Sequence, residues 1–196
     1  VSEGKSCVDF LRDALSDRVR ADGKALVADM ERGDSNPTTF VEGILKMDET
    51  YRHIVEYSFR GEGAAKKKLK ESFGLFLNSD ERAASCLAMY ADDLLKSKLK
   101  GLSDDKAKTL LNRIIIVFRY IKDKDVFEKY YKERLAKRLL DRRSISDEAE
   151  KMVVSLLKAE IGFQFTSKLE GMFNDMTISR DTQTAYKEDK RIRTMN

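Results

Sequence analysis

The chain has 196 residues, of which 41% are hydrophobic and 37% are charged, and its formal net charge is +4 at pH 7. This length can bury one large hydrophobic core or two smaller ones, and so small a net charge gives no argument for nucleic-acid binding by itself. The sequence has 1 proline and 10 glycines, whereas sheet proteins with many tight turns need more of both. No apolar run approaches the roughly 20 residues that a membrane-spanning helix requires. The composition therefore predicts a helical protein that does not span a membrane.

Apolar residues at mostly helical spacing predict four helices in the first half of the chain. The first occupies about the first 30 residues. The second follows Asn36, a favourable N-cap residue, places Pro37 at its first helical position and continues to about Ser58. The same spacing predicts a third helix over residues 63–77 and a fourth over residues 80–98.

A more strongly apolar helix is predicted after Gly101, with Ser103 as its N-cap. Its apolar residues are Ala107, Leu110, Leu111, Ile114, Ile115, Val117, Phe118 and Ile121. They cover more than one narrow stripe, so we expect this helix to be central and buried on more than one side. We also place a domain boundary at Gly101, which divides the chain into helical units 1–101 and 102–196.

Three further helices are predicted in the second unit. One covers residues 125–141, and the next begins after Ser146 and stops at Gly162. We expect the last helix to be capped by Thr166 or Ser167 and to run through Met176. The preceding segment GFQF is interpreted as a connector, and the residues after Met176 as a polar, charged tail.

The sequence offers no constellation of residues for catalysis or for a cofactor. Cys7 and Cys86 lack the companion ligands of a zinc site, and we interpret both as reduced, core-type cysteines of an intracellular protein, located in the cytoplasm and nucleus. His53 is the only histidine and is flanked by ordinary helix residues, so a catalytic triad is not indicated. No phosphate-binding glycine motif is present. We therefore expect no enzymatic activity, no metal and no cofactor.

The segment over residues 125–143 is the most unusual in the chain. Its apolar residues recur every four positions, at Phe127, Tyr131, Leu135 and Leu139. Its positive residues are Lys129, Lys132, Arg134, Lys137, Arg138, Arg142 and Arg143. Three interpretations compete: a solvated face of a packed helix, a site for an acidic protein partner, or a nucleic-acid surface.

Two stretches in unbroken order carry a family resemblance. DKDVFEKYYKERLAKRLL, followed by SISDEAEKMVVSLLKAEIGFQFTSKLEGMFNDMTIS, resembles the central signature of the cullin family over about residues 122–179. Within it, LAKRLL and FTSKLEGMFNDM are too specific to follow from helical propensity alone. Residues 90–125 also resemble cullins, most closely of the cullin-3 type, and residues 5–89 fit the last helical repeat of the cullin stalk more loosely.

The resemblance implies an all-α fold, an elongated stack of helical bundles in which a cullin repeat (1–101) is followed by a four-helix bundle (102–196). It further implies a non-catalytic scaffold of a multisubunit RING-type ubiquitin ligase. The partners of the full-length protein would be a RING-box protein, a substrate adaptor of the BTB type and a ubiquitin-conjugating enzyme, with no membrane and no nucleic acid. The alternative from another class is a helical nucleic-acid-binding module that uses residues 125–143.

The family also has a basic channel that attracts an acidic tail of the conjugating enzyme. By resemblance, the candidate contacts in this chain are Lys129, Lys132, Lys137 and Arg138. The last residues, EDKRIRTMN, faintly resemble basic stretches near the site where cullins are modified by a ubiquitin-like protein. They lack a lysine in the matching place, so that function is not transferred.

Overall fold

The computed structural model describes residues 6–33 and 35–188, and these residues form helices and connecting turns without any strand. The helices are α1 (Cys7–Arg32), α2 (Pro37–Ser58), α3 (Gly63–Leu77), α4 (Ala83–Asp93), α5 (Asp104–Phe118), α6 (Lys124–Leu140), α7 (Asp147–Ile161) and α8 (Phe163–Glu188). A π-helical turn, Leu94–Lys98, directly continues α4. The predicted all-α fold is confirmed.

Helices α1 to α3 follow their local sequence signals closely. Ser6 and Asp9 form a capping box at the start of α1, and the Asn36 side chain accepts a hydrogen bond from the backbone of Thr39 at the start of α2. Helix α1 packs along α3, and Gly23 makes this approach possible, because a Cβ atom there would lie 2.3 Å from the ring of Phe76. The bounds predicted for α2 and α3 are confirmed.

The fourth helix begins later than predicted and changes its winding. Asp80 accepts a hydrogen bond from the backbone of Arg82, which forms a turn, so α4 starts at Ala83 instead of Asp80. In the π-helical turn the backbone N–H of Leu99 donates to the carbonyl oxygen of Leu94 at 3.3 Å. The carbonyl oxygen of Leu95 instead accepts a hydrogen bond from the backbone of Ile145, 3.0 Å away in the turn between α6 and α7.

Helix α5 has the central position predicted from its apolar residues. Ile114 and Phe118 are fully buried and Ile115 is 6% exposed, because α2, α4 and α7 all contact this helix. The helix ends at Phe118, so Ile121 lies in the following turn, where it is still buried.

The predicted start and end of α7 are confirmed, whereas the predicted start of α8 is wrong. Ser146 caps α7 by accepting a hydrogen bond from the backbone of Ala149, and Gly162 ends it with φ at +92°. The GFQF connector and the cap at Thr166 or Ser167 are wrong, since α8 begins at Phe163 immediately after the glycine. The two hydroxyl groups lie within α8 and donate to carbonyl oxygens three residues back, at 3.4 and 3.1 Å.

The predicted polar tail is helical as far as Glu188, so α8 continues well beyond Met176. The rest of the tail, including residues 189–196 of EDKRIRTMN, lies outside the described residues.

A single hydrophobic cluster runs through the described part of the chain and takes buried side chains from all eight helices, from Leu15 in α1 to Leu169 in α8. Residues on both sides of Gly101 belong to it. Helix α4 packs against both α5 and α6, so the core is continuous across the turn at Gly101. The domain boundary at that residue stays a prediction.

Candidate functional site

Helix α6 is held by the apolar stripe that the sequence predicts. Phe127, Tyr131 and Leu135 are fully buried and Leu139 is 4% exposed. The Phe127 ring lies edge-on to Phe118 of α5, with centroids 5.0 Å apart, and is stacked on Tyr131 at 5.5 Å. This stripe fixes which side of α6 faces α4 and which side faces solvent.

Arg138 lies on the buried side of α6 and forms the centre of an ion network. Its Nε and Nη2 donate to the two carboxylate oxygens of Glu150 at 2.6 and 2.9 Å, and its Nη1 donates to Asp92 at 2.6 Å. Arg138 and Glu150 are fully buried, and Asp92 is 3% exposed. The network therefore joins α4, α6 and α7 at a point where water does not compete for the charges.

Further donors also bond to the carboxylate oxygens of the network. The Ser144 hydroxyl donates to Glu150 at 2.6 Å, and the Lys96 ammonium donates to Asp92 at 2.6 Å. Arg134 approaches the same oxygen of Asp92 at 3.4 Å. Buried charges are tolerated when they are both paired and hydrogen-bonded, and this network meets both conditions.

The network keeps Asp92 and Arg138 charged at neutral pH. Burial alone would raise the pKa of Asp92, but the hydrogen bonds from Lys96 and Arg138 outweigh burial, and the net pKa is lowered. For Arg138, burial favours the neutral form, but the bond to Glu150 and the other partners raise its pKa. The guanidinium carbon lies 5.5 Å from the centroid of the Tyr131 ring, and burial raises the pKa of that phenol, which stays protonated.

The prediction that Arg138 contacts an acidic partner is wrong for this structure, because the side chain is inaccessible and both of its carboxylate partners belong to the chain. Lys129, Lys132 and Lys137 are exposed, and the structure describes no ion pair for any of them. We call these three residues the lysine face of α6. Their role as partner contacts stays a prediction.

The sequence contained a signal for the burial of Arg138 that the prediction did not use. Arg138 lies seven residues after Tyr131 and three after Leu135, which places it on the apolar face of an α-helix. An arginine on such a face needs a buried acidic partner. Asp92 and Glu150 could not be named from the sequence, because nothing in it specifies which of its many carboxylates would be near.

A second polar cluster holds the turn between α5 and α6. The hydroxyl of Tyr120 donates to Asp48 of α2, and Asp48 also accepts from Arg52 at 2.8 Å. Burial, followed by the bond to Asp48, raises the pKa of Tyr120 to about 12, so it remains a donor. Its ring is stacked on Phe73 of α3, with centroids 4.7 Å apart.

Asn78, in the turn after α3, completes this cluster. Its amide nitrogen donates to the carbonyl oxygen of Tyr120 at 2.9 Å, and its amide oxygen accepts from the backbone of Lys122 at 2.7 Å. The turn after α5 is therefore tied to both α2 and α3. This cluster and the Arg138 network are therefore two polar connections between the parts of the chain before and after Gly101, and each includes a buried hydrogen bond.

Other residues with potential chemistry are not arranged for it. His53 packs against Tyr57 with ring centroids 4.1 Å apart. Cys86 is buried as predicted, and burial raises the pKa of its thiol to about 11; Cys7 is exposed, so its assignment to the core is wrong. The described residues contain no group of three potential metal ligands, and none of their helices is long and apolar enough to cross a membrane.

The fold and the site define a class: an α-helical solenoid in which packed helical units share one core. The sequence model of the Cullin family, described as the cullin alpha solenoid domain, matches residues 2–183. The chain therefore belongs to the cullin family.

Individual relatives point to one branch of this family. The chain is 40% identical to Cullin-3A and 41% identical to Cullin-3B of Arabidopsis thaliana, each over 176 residues, which is 90% of this chain. It is 38% identical to Cullin-3 of Dictyostelium discoideum over 187 residues, or 95% of this chain. It spans about a quarter (24%) of the length of each of these relatives. The resemblance to a cullin-3-like fragment is confirmed.

Proposed function

We propose that this chain is part of the rigid, non-catalytic scaffold of a multisubunit cullin-RING E3 ubiquitin ligase. In the full-length protein it would hold the substrate adaptor, of the BTB type, at a fixed distance from the RING-box protein and the ubiquitin-conjugating enzyme. The observation that carries the proposal is the buried connection of Asp92, Arg138 and Glu150 across three helices, within a core that continues past Gly101.

This arrangement suits a spacer. A hinge would need an interface that opens at low free-energy cost, whereas opening this interface exposes apolar surface and separates buried ion pairs at the same time. Cys86 does not suggest a covalent intermediate, since its thiol is buried with its pKa raised to about 11. Catalytic cysteines have lowered pKa values and accessible sulfur atoms.

The test is ubiquitin transfer by the full-length chain with its RING-box protein, its adaptor and a conjugating enzyme. We expect co-purification with the RING-box protein, and unchanged transfer when Cys7→Ser and Cys86→Ala are introduced together. Loss of transfer by a folded double variant, or a reducible ubiquitin adduct on either cysteine, contradicts a non-catalytic role. Failure of the full-length protein to bind a RING-box protein contradicts the ligase assignment itself.

The lysine face of α6 supports a more specific part of the proposal. Lys129, Lys132 and Lys137 are exposed and have no described ion pair, so their field is available to an acidic tail of the conjugating enzyme. Such a field raises the association rate, and salt weakens it because charges are screened beyond about 8 Å at physiological ionic strength. The nucleic-acid alternative is less well supported, because two of its basic residues are paired within the chain. Arg138 is paired with Asp92 and Glu150, and Arg134 lies 3.4 Å from Asp92.

Charge reversal tests this role in the complete ligase. The triple variant Lys129→Glu, Lys132→Glu and Lys137→Glu should slow ubiquitin transfer at low concentrations of conjugating enzyme, and the difference should shrink as salt is added. The control is Lys67→Glu on α3, an exposed lysine on a different helix. Equal rates for the folded triple variant and the wild type would refute the contact.

A further inference from the structure

Lys124, the first residue of α6, places its amine at the point where α5 ends. Its Nζ donates a hydrogen bond to the carbonyl oxygen of Phe118, the last residue of α5, and lies 3.8 Å from the centroid of the Phe118 ring. The side chain is half-buried, and no ion pair is described for it, although Asp123 and Asp125 flank it in the sequence. The amine is therefore held against the C-terminal end of α5 and does not extend into solvent.

The charged groups around this amine do not compensate for its burial. Glu160 of α7 attracts the ammonium of Lys124, but its carboxylate is bonded to Arg119 at 2.9 Å. Lys70 of α3 carries the same charge as the ammonium and repels it. Among the described residues, the ammonium thus has no carboxylate partner of its own.

The loss of hydration at this position favours the neutral amine. A carbonyl oxygen and an aromatic ring both attract an ammonium, but neither carries the full negative charge that would replace the hydration shell. Burial lowers the pKa of Lys124 to about 8; the attraction of Glu160 opposes this shift, and the repulsion by Lys70 adds to it. Desolvation and a neighbouring cation are conditions that activate lysine as a nucleophile in proteins.

A substantial fraction of this amine is ready to react near neutral pH. With its pKa at about 8, roughly a quarter of Lys124 is neutral at pH 7.5, compared with about 0.1% of a lysine in an unperturbed peptide. A neutral amine has two N–H groups and one lone pair. One N–H can therefore still donate to the carbonyl oxygen of Phe118 while the lone pair attacks a substrate.

The surroundings of Lys124 favour a small reagent. Lys70 and Glu160 both line a cleft of about 830 Å³ that opens between α2 and α3. Lys124 does not line this cleft itself, but it lies near the part that these two residues form. A half-buried amine is accessible to a small acyl donor more readily than to an acyl group carried on the surface of a large protein.

We propose that Lys124 is an acylation site that takes its acyl group from a small thioester of the acyl-coenzyme A class. The amine nitrogen attacks the thioester carbonyl carbon, a C–N bond forms and the C–S bond breaks. The thiolate leaves and takes up the proton that the nitrogen releases, so the products are a neutral amide and a thiol. The amide removes a positive charge from the C-terminal end of α5, where positive charge is favourable.

This site is separate from the scaffold proposal. Lys124 takes no part in the Arg138 network or in the cluster at Asp48. Failure of the acylation proposal would leave the scaffold proposal intact.

The test is acetylation of the purified chain by acetyl-coenzyme A, with the rate at each lysine measured by peptide mass spectrometry from pH 6.5 to pH 9.5. At pH 7.5 we expect Lys124 to react about fivefold or more faster than Lys122, an exposed lysine two residues away, because a larger fraction of its amine is neutral. The rate at Lys124 should rise with a midpoint at about pH 8 and then level off.

Two charge variants should move this midpoint in opposite directions. Lys70→Gln removes the neighbouring cation and should raise it, whereas Glu160→Gln removes the attracting carboxylate and should lower it. The matched control is Lys67→Gln, an exposed lysine of α3 that does not line the cleft, and it should leave the midpoint unchanged. The proposal is overturned if Lys124 reacts no faster than Lys122, or if Lys67→Gln moves the midpoint as much as Lys70→Gln. Thermal unfolding followed by circular dichroism verifies that each variant is folded.

Discussion

Arg138 is a fully buried cation, and each of its donor nitrogens faces a carboxylate oxygen from another helix. Lys96 and Ser144 donate further hydrogen bonds to those carboxylates. The attraction within such a group largely offsets the cost of removing its charges from water. The network is consequently sensitive to the loss of any one member, because the others then stay buried without a partner.

We expect Arg138→Met to reduce the free energy of unfolding by about 3–5 kcal/mol, since it leaves two buried carboxylates without their shared cation. Urea denaturation followed by circular dichroism measures this change. The control is Lys137→Met, which removes a neighbouring exposed lysine and should change stability by less than about 0.5 kcal/mol. Similar small effects for both variants would show that Arg138 is solvated in solution.

The lowered pKa of Asp92 predicts how stability depends on acid. The unfolded chain binds a proton at Asp92 near pH 3.9, whereas the folded chain resists protonation until a lower pH. The contribution of this carboxylate is therefore fully present above about pH 4 and is lost as the pH falls through the folded-state pKa. Stability should decrease with acid in this window.

The variant Asp92→Asn tests the origin of this acid dependence. It cannot titrate, so the decrease in its unfolding free energy between about pH 5 and pH 3 should be smaller than that of the wild type. Glu81→Gln, an exposed carboxylate without a described partner, is a suitable control and should follow the wild type. If all three proteins lose stability in parallel, Asp92 does not carry the effect.

At the scale of single residues, the sequence predicted which positions are buried better than which charges pair. The stripe of Phe127, Tyr131, Leu135 and Leu139 was correct because burial follows helical periodicity. The pairing of Arg138 with Asp92, 46 residues away, depends on how α4 and α6 cross, and no local pattern encodes that crossing.

The junction of α7 and α8 depends on one residue. Gly162 has φ +92° and ψ 172°, a conformation that is accessible almost only to glycine. It lets two long helices meet without a connector. A side chain at this position would either strain the backbone or force it into a different conformation.

Two glycine substitutions in this region should act in opposite directions. Gly162→Ala should cost about 1–3 kcal/mol because of its backbone conformation. Gly171→Ala, within α8 where no atom lies within 4 Å of the added Cβ, should stabilise the helix by about 0.5–1 kcal/mol. Melting temperatures from calorimetry measure both. A fall in melting temperature for both variants would mean that backbone conformation does not determine the effect of alanine at these two glycines.

At the scale of elements, the sequence predicted helices best where their ends carry polar caps. Asn36 with Pro37, and Ser146, marked α2 and α7 correctly. Helix α8 was truncated in the prediction because Thr166 and Ser167 resemble caps, although their hydroxyls bond within the helix. The π-helical turn after α4 was not predicted, because its stabilising bond comes from Ile145, far away in sequence.

Two buried polar connections and one shared core predict that the described part of the chain moves as one body. Spin labels at Leu75→Cys in α3 and Ile178→Cys in α8 would report on the distance across the junction, since both residues are exposed. We expect a narrow distance distribution by double electron–electron resonance. Cys7→Ser removes the exposed native thiol, and Cys86 is too buried to react.

The control pair for this measurement lies within the first helices of the chain. Labels at Phe10→Cys in α1 and Leu75→Cys in α3 join two exposed residues of helices that pack directly on each other. The two distributions should have comparable widths. A much broader distribution for the pair across the junction would mean that the two parts move independently, and the rigid-scaffold proposal would then fail.

At the scale of the whole molecule, composition and helical periodicity were sufficient to predict the all-α fold, and the resemblance at residues 122–179 was sufficient to predict the family. The cleft between α2 and α3 was not foreseen, because its lining comes from segments as distant as Glu49 and Glu160. A surface of this kind exists only once the helices before and after Gly101 have come together.

The Arg138 network also has a consequence for the order of events during synthesis. Asp92 leaves the ribosome before Arg138, and Glu150 follows both. Until α6 and α7 are available, Asp92 can remain hydrated beside Lys96, whereas Arg138 cannot be buried without its carboxylates. The network can therefore close only once α7 has been synthesised and has docked.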